Sequence, residues 1–157
     1  MVLETIASPQ DLKKLSREDL QRVVDEARQA LLEKTSQHGG HNGPNFGMVE
    51  MTVAMHYVFN SPVDKFIFDV SHQSYVHKML TGRAQAFLDP DHYDDVSGYT
   101  NPKESEHDLF TIGHTSTSLS LATGVAKARD LKDEVYNVVA VIGDGSLSGG
   151  MAYEGLN

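Results

Sequence analysis

Apolar residues recur at helical spacing in the first third of the chain and predict two helices there. Residues 16–37 begin with Ser16, a candidate N-cap with Asp19 three positions later, and predict an amphipathic helix. Residues 48–59 are mostly apolar and predict a buried helix. Between these two segments, residues 38–47 are rich in glycine and contain a proline, which is typical of a loop.

Two apolar runs further along the chain predict strands. Residues 65–70 are β-branched and aromatic and predict a short buried strand, and residues 135–143 have the strongest strand pattern in the chain. Residues 116–132 between them have helical spacing. Strands that alternate with helices are typical of a parallel sheet, so we predict an α/β fold with helices flanking the sheet. The polar residues 88–108 predict a long loop, of a length that often carries function.

Composition narrows the classes of function. The 157 residues carry a formal net charge of −9 and include no cysteine. An acidic chain is a poor partner for nucleic acid, and the lack of cysteine excludes disulfides, thiolate zinc sites and a cysteine nucleophile. The first residues lack the apolar core of a signal peptide, and no apolar run approaches the length of a transmembrane helix. We therefore expect a cytoplasmic protein that binds neither nucleic acid nor a membrane.

The strand predicted at residues 135–143 is followed directly by Asp144, which lies between two glycines. Ligands of open α/β sheets bind at the carboxyl ends of strands, and Gly143 and Gly145 let the backbone turn sharply beside a ligand. The next predicted helix begins almost at once, and its N-terminal amides suit a phosphate. A magnesium ion on Asp144 would remove the repulsion between carboxylate and phosphate. The alternative is a plain strand–turn–helix in which Asp144 is an ordinary N-cap.

Three of the eight histidines, His41, His72 and His114, lie in loops or at the ends of predicted elements. Their spacing does not match a zinc motif, so a catalytic or ligand-binding role is the better interpretation. Two other histidines have simpler explanations. His56 lies in an apolar helix and is expected to be a hydrogen-bonded core residue, and His77 is expected to make a surface contact.

Residues 113–120 place several hydroxyl groups at the start of the helix predicted over residues 116–132. Ordinary N-capping by serine or threonine explains such a pattern. Hydrogen bonds from the amides and hydroxyls of the first turn to a cofactor also explain it. The two interpretations are compatible with each other.

Four stretches taken together resemble the 1-deoxy-D-xylulose-5-phosphate synthase family, which is related to transketolase. They are residues 39–41, 59–83, 105–118 and 141–157, in the family's order and spacing. The resemblance implies dependence on thiamine diphosphate and Mg²⁺. It implies the condensation of pyruvate with D-glyceraldehyde 3-phosphate to 1-deoxy-D-xylulose 5-phosphate and CO₂. It also implies that residues 1–157 are the N-terminal part of the domain that binds the diphosphate and the metal, and that the complete protein is a homodimer.

The resemblance also implies roles for individual residues. Asp144 corresponds to the family's magnesium ligand, and Gly145 and Ser146 correspond to residues that hold the diphosphate. Further residues correspond to positions that contact the cofactor, namely His72, Gly113, His114 and Thr115. His41 corresponds to an active-site histidine that is thought to assist proton transfer or substrate handling.

Three positions depart from the family's usual pattern. The family commonly has glycine where Ser71 stands and proline where Val76 stands, and often a serine near the place of Pro44. A related thiamine-diphosphate enzyme that acts on another sugar phosphate is therefore an alternative, and so is an inactive fragment that keeps only the fold. The second magnesium ligand and the glutamate that activates the aminopyrimidine ring are expected outside residues 1–157. We therefore expect these residues alone to be inactive.

Overall fold

The chain divides into two units in a computed structural model that describes residues 1–157. The first unit comprises residues 1–60 and 73–98, and the second comprises residues 61–72 and 99–157. Both strands belong to the second unit. The chain contains no helix that combines the length and the apolar character needed to cross a membrane.

The first unit is made of helices and short turns. Its helices are α1 (Pro9–Leu12), α2 (Arg17–His38), α3 (Asn42–Phe46), α4 (Val49–Val58), α5 (Tyr75–Lys78) and α6 (Gln85–Leu88). Two 3₁₀ turns cover Leu3–Thr5 and Pro90–His92, and a wide turn over Met79–Arg83 follows α5. Gly82 has a φ of 87° in that turn, a left-handed conformation that glycine adopts without strain, and it interrupts the helical backbone as its type suggests.

Helix α2 begins where the sequence predicts. The Ser16 hydroxyl oxygen accepts a hydrogen bond from the Asp19 backbone N–H at 3.1 Å, which satisfies one of the donors left open at a helix start. The apolar side chains of α2 lie on one face and are buried in the core of the first unit, namely Val23, Val24, Ala27, Ala30 and Leu31. The amphipathic pattern therefore identifies both the helix and its buried face.

The segment 38–47 is not the plain loop that its glycines predict, because it contains helix α3. The buried side chain of Asn45 explains this difference. Its Nδ2 donates to His41 O at 2.6 Å, and its Oδ1 accepts from Tyr75 N at 2.9 Å. A side chain that bonds the backbone on both sides stabilises a turn of helix in a glycine-rich segment.

The second unit is built on two parallel strands with helices after each strand. Its elements are β1 (Lys65–Phe68), α7 (Ser118–Leu131), β2 (Val138–Val141), α8 (Asp144–Leu147) and α9 (Gly150–Leu156). Helix α7 packs on both strands and on α9. This arrangement confirms the predicted α/β fold with a parallel sheet flanked by helices.

Both strands are shorter than the apolar runs that predict them. They pair in register, and Lys65 lies opposite Val138 at the first position. Strand β1 ends before Val70 and Ser71, whose φ angles of 60° and 69° are left-handed and incompatible with a strand. The apolar character of a run therefore predicts the strand but not the residue at which it ends.

Two histidines, His56 on α4 and His77 on α5, lie in the interior of the first unit. Both side chains are fully buried, and Nε2 of His56 lies 2.9 Å from Nδ1 of His77 with the two rings stacked. The prediction that His56 is a hydrogen-bonded core residue is confirmed. The prediction of a surface contact for His77 is wrong, because α5 packs against α4 and buries its side chain.

Candidate functional site

Three segments of the second unit lie at or near the carboxyl ends of the strands. Residues 69–72 follow β1, residues 113–118 lead into α7, and residues 143–149 follow β2. Parallel strands present their carboxyl ends at the same edge of a sheet, where open α/β sheets bind ligands. Most of the predicted site residues belong to these segments, namely His72, Gly113, His114, Thr115, Asp144, Gly145 and Ser146. His41 belongs to the first unit.

Asp69, directly after β1, connects that strand to the start of α7. Its Oδ1 accepts a hydrogen bond from Ser116 N, and its Oδ2 accepts one from Ser118 N, each at 2.9 Å. Thr117 occupies the N-cap position of α7 but makes no side-chain capping bond. The interpretation of residues 113–120 as ordinary capping by a local serine or threonine is therefore wrong, because a carboxylate from a distant segment takes that role.

The Asp69 carboxylate is only 1% exposed. Burial by itself would raise its pKa, but the hydrogen bonds to the carboxylate together outweigh burial and hold the pKa below its ordinary value. The largest of them come from the backbone N–H groups of Ser118 and Ser116. The side chain is therefore ionised at neutral pH. An ionised carboxylate offers both oxygens as acceptors, which matches the two N–H donors that face it.

Ser116 links the segment before α7 to the segment after β2. Its φ of 68° lies in the left-handed region, and its Oγ donates a hydrogen bond to Ser146 O at 2.6 Å. Gly149 packs against this hydroxyl so closely that a Cβ there would collide with Ser116 Oγ. Glycine at position 149 is therefore required for the close approach of the two segments.

Ser71 holds the stretch of chain that leads into Gly113. It is fully buried, its Oγ donates to Ile112 O at 2.7 Å, and the same oxygen accepts from Thr100 N at 3.0 Å. The left-handed backbone at this position would suit the glycine that the resemblance leads us to expect. The serine adds two hydrogen bonds that glycine cannot make. His72 follows Ser71 directly and is half-buried.

Asp144 is exposed at the first position of α8, and the neighbouring glycines have open space beside them. Gly143 occupies the N-cap position, so the interpretation of Asp144 as an ordinary N-cap is wrong. One Asp144 carboxylate oxygen, Oδ1, accepts from Gly145 N at 2.9 Å. Residues 1–157 contain no group of three or more His, Cys, Asp or Glu side chains placed to hold a metal. The donor chemistry fits a Mg²⁺ that takes one carboxylate here and fills its coordination with phosphate oxygens and water.

Gly113 and His114 line a cavity of about 310 Å³ in the second unit. The rest of the lining comes from the same segment, from α7 and from α9, and consists of Thr111, Ile112, Thr117, Ser120, Leu121 and Met151. Nδ1 of His114 lies 2.7 Å from Thr115 O, which orients the imidazole, and both residues are exposed. The predicted cofactor-contacting residues are therefore accessible to a ligand.

His41 lies beside a cavity of about 280 Å³ in the first unit. Its Nδ1 lies 3.1 Å from the hydroxyl oxygen of Tyr75, and its backbone N–H donates to the same oxygen at 3.2 Å. Tyr75 is buried and its ring packs against Phe87. Gly98 adjoins the imidazole, since a Cβ there would lie 3.3 Å from His41 Cε1. These contacts fix the His41 ring in the cavity wall.

Lys34 and Tyr93 form another part of the same wall. Nζ of Lys34 donates to Ala86 O at 2.7 Å and to Tyr93 O at 2.8 Å, and it lies 4.4 Å from the centre of the Phe87 ring. Burial, helped by two nearby carboxylates, raises the pKa of Tyr93, so its phenol is neutral at physiological pH. A wall of ammonium, phenol and imidazole groups suits a small, oxygen-rich molecule.

Sequence reasoning missed four residues that build these sites: Lys34, Asp69, Tyr75 and Ser116. Asp69 had a usable signal, since it is a carboxylate directly after a buried apolar run, where α/β sheets bind ligands. Ser116 lies among the hydroxyl residues 113–120, but nothing local indicates its bond to a carbonyl 30 residues away. The contacts of Lys34 and Tyr75 had no local signal either. Tyr75 is 34 residues from His41, and Lys34 is 52 residues from Ala86.

The fold and the site define an α/β protein with a candidate ligand site at the carboxyl ends of parallel strands. The family model for 1-deoxy-D-xylulose-5-phosphate synthase matches residues 3–157. The chain belongs to this family, which confirms the resemblance seen in its motifs.

Curated relatives carry the same name. The chain is 60% identical over 156 residues to the 1-deoxy-D-xylulose-5-phosphate synthase of Caldanaerobacter subterraneus subsp. tengcongensis. It is 55% identical over 157 residues to that of Dictyoglomus turgidum, and 56% identical over 157 residues to that of Brevibacillus brevis. These alignments cover 99% to 100% of the chain and 25% of each relative. The chain thus spans about a quarter of the length of the relatives it matches.

Proposed function

We propose that the complete protein is a thiamine-diphosphate-dependent transferase of the transketolase type. It condenses pyruvate with D-glyceraldehyde 3-phosphate to give 1-deoxy-D-xylulose 5-phosphate and CO₂. Membership of the synthase family supports this reaction. The observation within the chain that carries the proposal is the hydrogen bond from Ser116 to Ser146, because it joins the loop before α7 to the loop after β2. That contact supports one shared site for diphosphate and metal.

In this proposal Asp144 is a ligand of Mg²⁺, and Gly145 and Ser146 hold the diphosphate. The other cofactor-binding residues are His72, Gly113, His114 and Thr115. Thiamine diphosphate, when bound, supplies an electron sink for breaking and forming carbon–carbon bonds. The chain itself binds and orients: backbone N–H and hydroxyl groups of the loops serve phosphate oxygens, and the Asp144 carboxylate serves the metal.

His41 is proposed as the catalytic residue that handles protons on the substrate. The Tyr75 hydroxyl lies 3.1 Å from Nδ1 and orients the ring beside the cavity, where an imidazole can exchange protons with a substrate. The cavity beside the ring leaves room for a small molecule, and Gly39 in its lining has open space beside it. A histidine held in this way is pre-oriented, which reduces the ordering cost of the reaction.

The remaining parts of the proposal concern the complete protein. Residues 1–157 form the N-terminal part of the domain that binds the diphosphate and Mg²⁺. A second magnesium ligand and the glutamate that activates the aminopyrimidine ring come from elsewhere in the complete protein. It acts as a cytoplasmic homodimer on small-molecule substrates, supplying precursors of isoprenoids, thiamine and pyridoxal. The net charge of −9 supports the expectation that nucleic acid is not a partner.

The reaction is tested by following CO₂ release from pyruvate by the complete protein. Release is expected to require D-glyceraldehyde 3-phosphate, thiamine diphosphate and Mg²⁺ together. His41→Gln is expected to lower kcat by about 10²- to 10⁴-fold, the usual contribution of a general acid–base group. His92→Gln is the matched control and should keep full activity, because His92 is an exposed residue paired with Asp95.

Two results would contradict the proposed reaction, and a third would contradict the role of His41. Transfer between sugar phosphates without any use of pyruvate would assign the protein to a related transketolase-like activity. Failure to bind Mg²⁺ and thiamine diphosphate would assign it to a protein that keeps only the fold. Equal loss of activity in the His41 and His92 variants would remove His41 from the mechanism while leaving the reaction in place.

A further inference from the structure

Asp69 uses both oxygens of its carboxylate on backbone N–H groups of the segment before α7. Oδ1 bonds Ser116 N and Oδ2 bonds Ser118 N. The side chain is almost completely buried, so it offers no surface to a ligand. A carboxylate with these contacts is placed to hold backbone rather than to touch a metal ion or a substrate.

The effect of this carboxylate extends to the segment after β2. Ser116, whose N–H bonds Asp69, donates its hydroxyl hydrogen to Ser146 O at 2.6 Å. Ser116 keeps a left-handed φ of 68°, which a residue other than glycine retains only where surrounding contacts outweigh the strain. Asp69 supplies one of these contacts. The position of the Ser116 hydroxyl therefore depends on the Asp69 carboxylate.

We propose that Asp69 is a positioning residue of the cofactor site. It holds Ser116 in its left-handed conformation, and through Ser116 it sets where Asp144–Ser146 lies relative to Gly113–Thr115. The identity of the ligand, Mg²⁺ with thiamine diphosphate, rests on the proposed function. The coupling of the two segments does not, because it follows from hydrogen bonds within the second unit.

Asp64 is a matched control at the opposite end of β1. It is also buried, and its Oδ1 accepts from the backbone N–H of Asn137 at 2.7 Å and from Asn137 Nδ2 at 2.9 Å. Both aspartates thus join β1 to a distant segment of the second unit. Asp64, however, directly precedes β1 and lies at the amino ends of the strands, whereas the site segments lie at or near the carboxyl ends.

The experiment compares Asp69→Asn with Asp64→Asn in the complete protein. Asparagine has nearly the same size but keeps one acceptor oxygen and turns the other position into a donor, so it cannot accept from the N–H groups of both Ser116 and Ser118. Amide hydrogen exchange is measured without cofactor over residues 113–118 and 144–149. The affinity for Mg²⁺ with thiamine diphosphate is measured by calorimetry, and kcat is measured at saturating cofactor.

Asp69→Asn is expected to speed exchange in both segments. It should weaken cofactor affinity by about tenfold or more, the usual effect of losing a hydrogen bond to a charged group. At saturating cofactor kcat should fall much less than the affinity, because Asp69 touches no reacting atom. Asp64→Asn should leave the affinity and the exchange of both segments unchanged, even where it lowers overall stability.

Faster exchange in residues 113–118 alone would overturn the proposal, because the coupling to the second segment would be missing. Equal loss of affinity in the two variants would also overturn it and assign Asp69 to general stability. If the wild-type protein does not bind Mg²⁺ with thiamine diphosphate, the proposed function is overturned. In that case, hydrogen exchange over residues 113–118 and 144–149 still tests whether Asp69 positions the two segments.

Discussion

The Asp69 carboxylate is buried, and its hydrogen bonds lower its pKa by more than burial raises it. The free energy of unfolding depends on pH wherever a group has different pKa values in the folded and unfolded states. The folded-state pKa of Asp69 lies below the ordinary value of 3.8. Its contribution to stability is therefore present above the ordinary pKa and is lost as the pH falls through the folded-state pKa.

We expect Asp69→Asn to reduce the acid sensitivity of the second unit. The wild-type protein should lose stability as the pH falls from the ordinary pKa of 3.8 through the lower folded-state pKa, because the carboxylate takes up a proton on unfolding. The variant is less stable at pH 7 but has no such carboxylate to titrate, so the two stabilities should converge in acid. Urea unfolding at several pH values, followed by a probe in the second unit, measures this. Parallel pH profiles for the two proteins would contradict it.

Residue type alone does not decide the role of a side chain. His56 and His77 both lie on helices and contact each other in the core, yet the sequence suggests a core role for only His56. Ser71 and Ser116 both have left-handed backbones, and each joins two segments through its hydroxyl. These roles depend on the neighbours that the fold supplies, which no short stretch of sequence contains.

At the scale of elements, local sequence signals predict the helices, whereas a small residue at the contact permits two helices to pack closely. For helix α2, one run of consecutive residues predicts the N-cap, the buried face and the length. The packing of α9 on α7 depends instead on Gly155, where a Cβ would lie 2.8 Å from Ser120 N. Gly124 on α7 differs, because a Cβ there would meet nothing within 4 Å.

We expect substitution of these two helical glycines by alanine to change the free energy of unfolding in opposite directions. Gly155→Ala should lower the free energy of unfolding of the second unit by about 1–3 kcal/mol, because overpacking forces α9 away from α7. Gly124→Ala should raise it by about 0.5–1 kcal/mol, because alanine is the better helix former. Urea denaturation of the two variants measures both changes. A loss of stability in both would show that helix packing at position 155 is not the cause.

At the scale of the whole molecule, a ligand that binds only the folded protein stabilises it. At a concentration of 100 times its Kd, such a ligand adds about 2.7 kcal/mol. Asp144 is proposed to hold the metal through which the diphosphate binds. Removal of its carboxylate charge should therefore remove most of this stabilisation.

We expect Mg²⁺ with thiamine diphosphate to raise the unfolding temperature of the complete protein, and EDTA to abolish the rise. Asp144→Asn should show little or no rise under the same conditions, because an amide is a poor magnesium ligand. Asp130→Asn is the control, since Asp130 is an exposed residue of α7 that pairs with Arg129. Differential scanning fluorimetry measures all three proteins. Equal rises in both variants would exclude Asp144 as a metal ligand.

The sequence by itself determined the α/β class, most of the longer elements, the family, and the positions of the candidate site residues. These features depend on patterns within about ten consecutive residues or on motifs kept in order. The plain loop predicted at residues 38–47 and the surface contact predicted for His77 were wrong. Two alternative interpretations were also wrong, namely local capping of α7 by serine or threonine and Asp144 as an ordinary N-cap.

The tertiary structure alone decided which side chains hold the candidate site together. Asp69 bonds residues 47 and 49 positions away, and Ser116 bonds a carbonyl 30 positions away. A hydrogen bond forms only when donor and acceptor lie about 3 Å apart, and for distant residues the packing of β1, β2 and α7 sets that distance. Local patterns show which hydrogen-bond donors and acceptors are present, and the fold determines which of them lie close enough to bond.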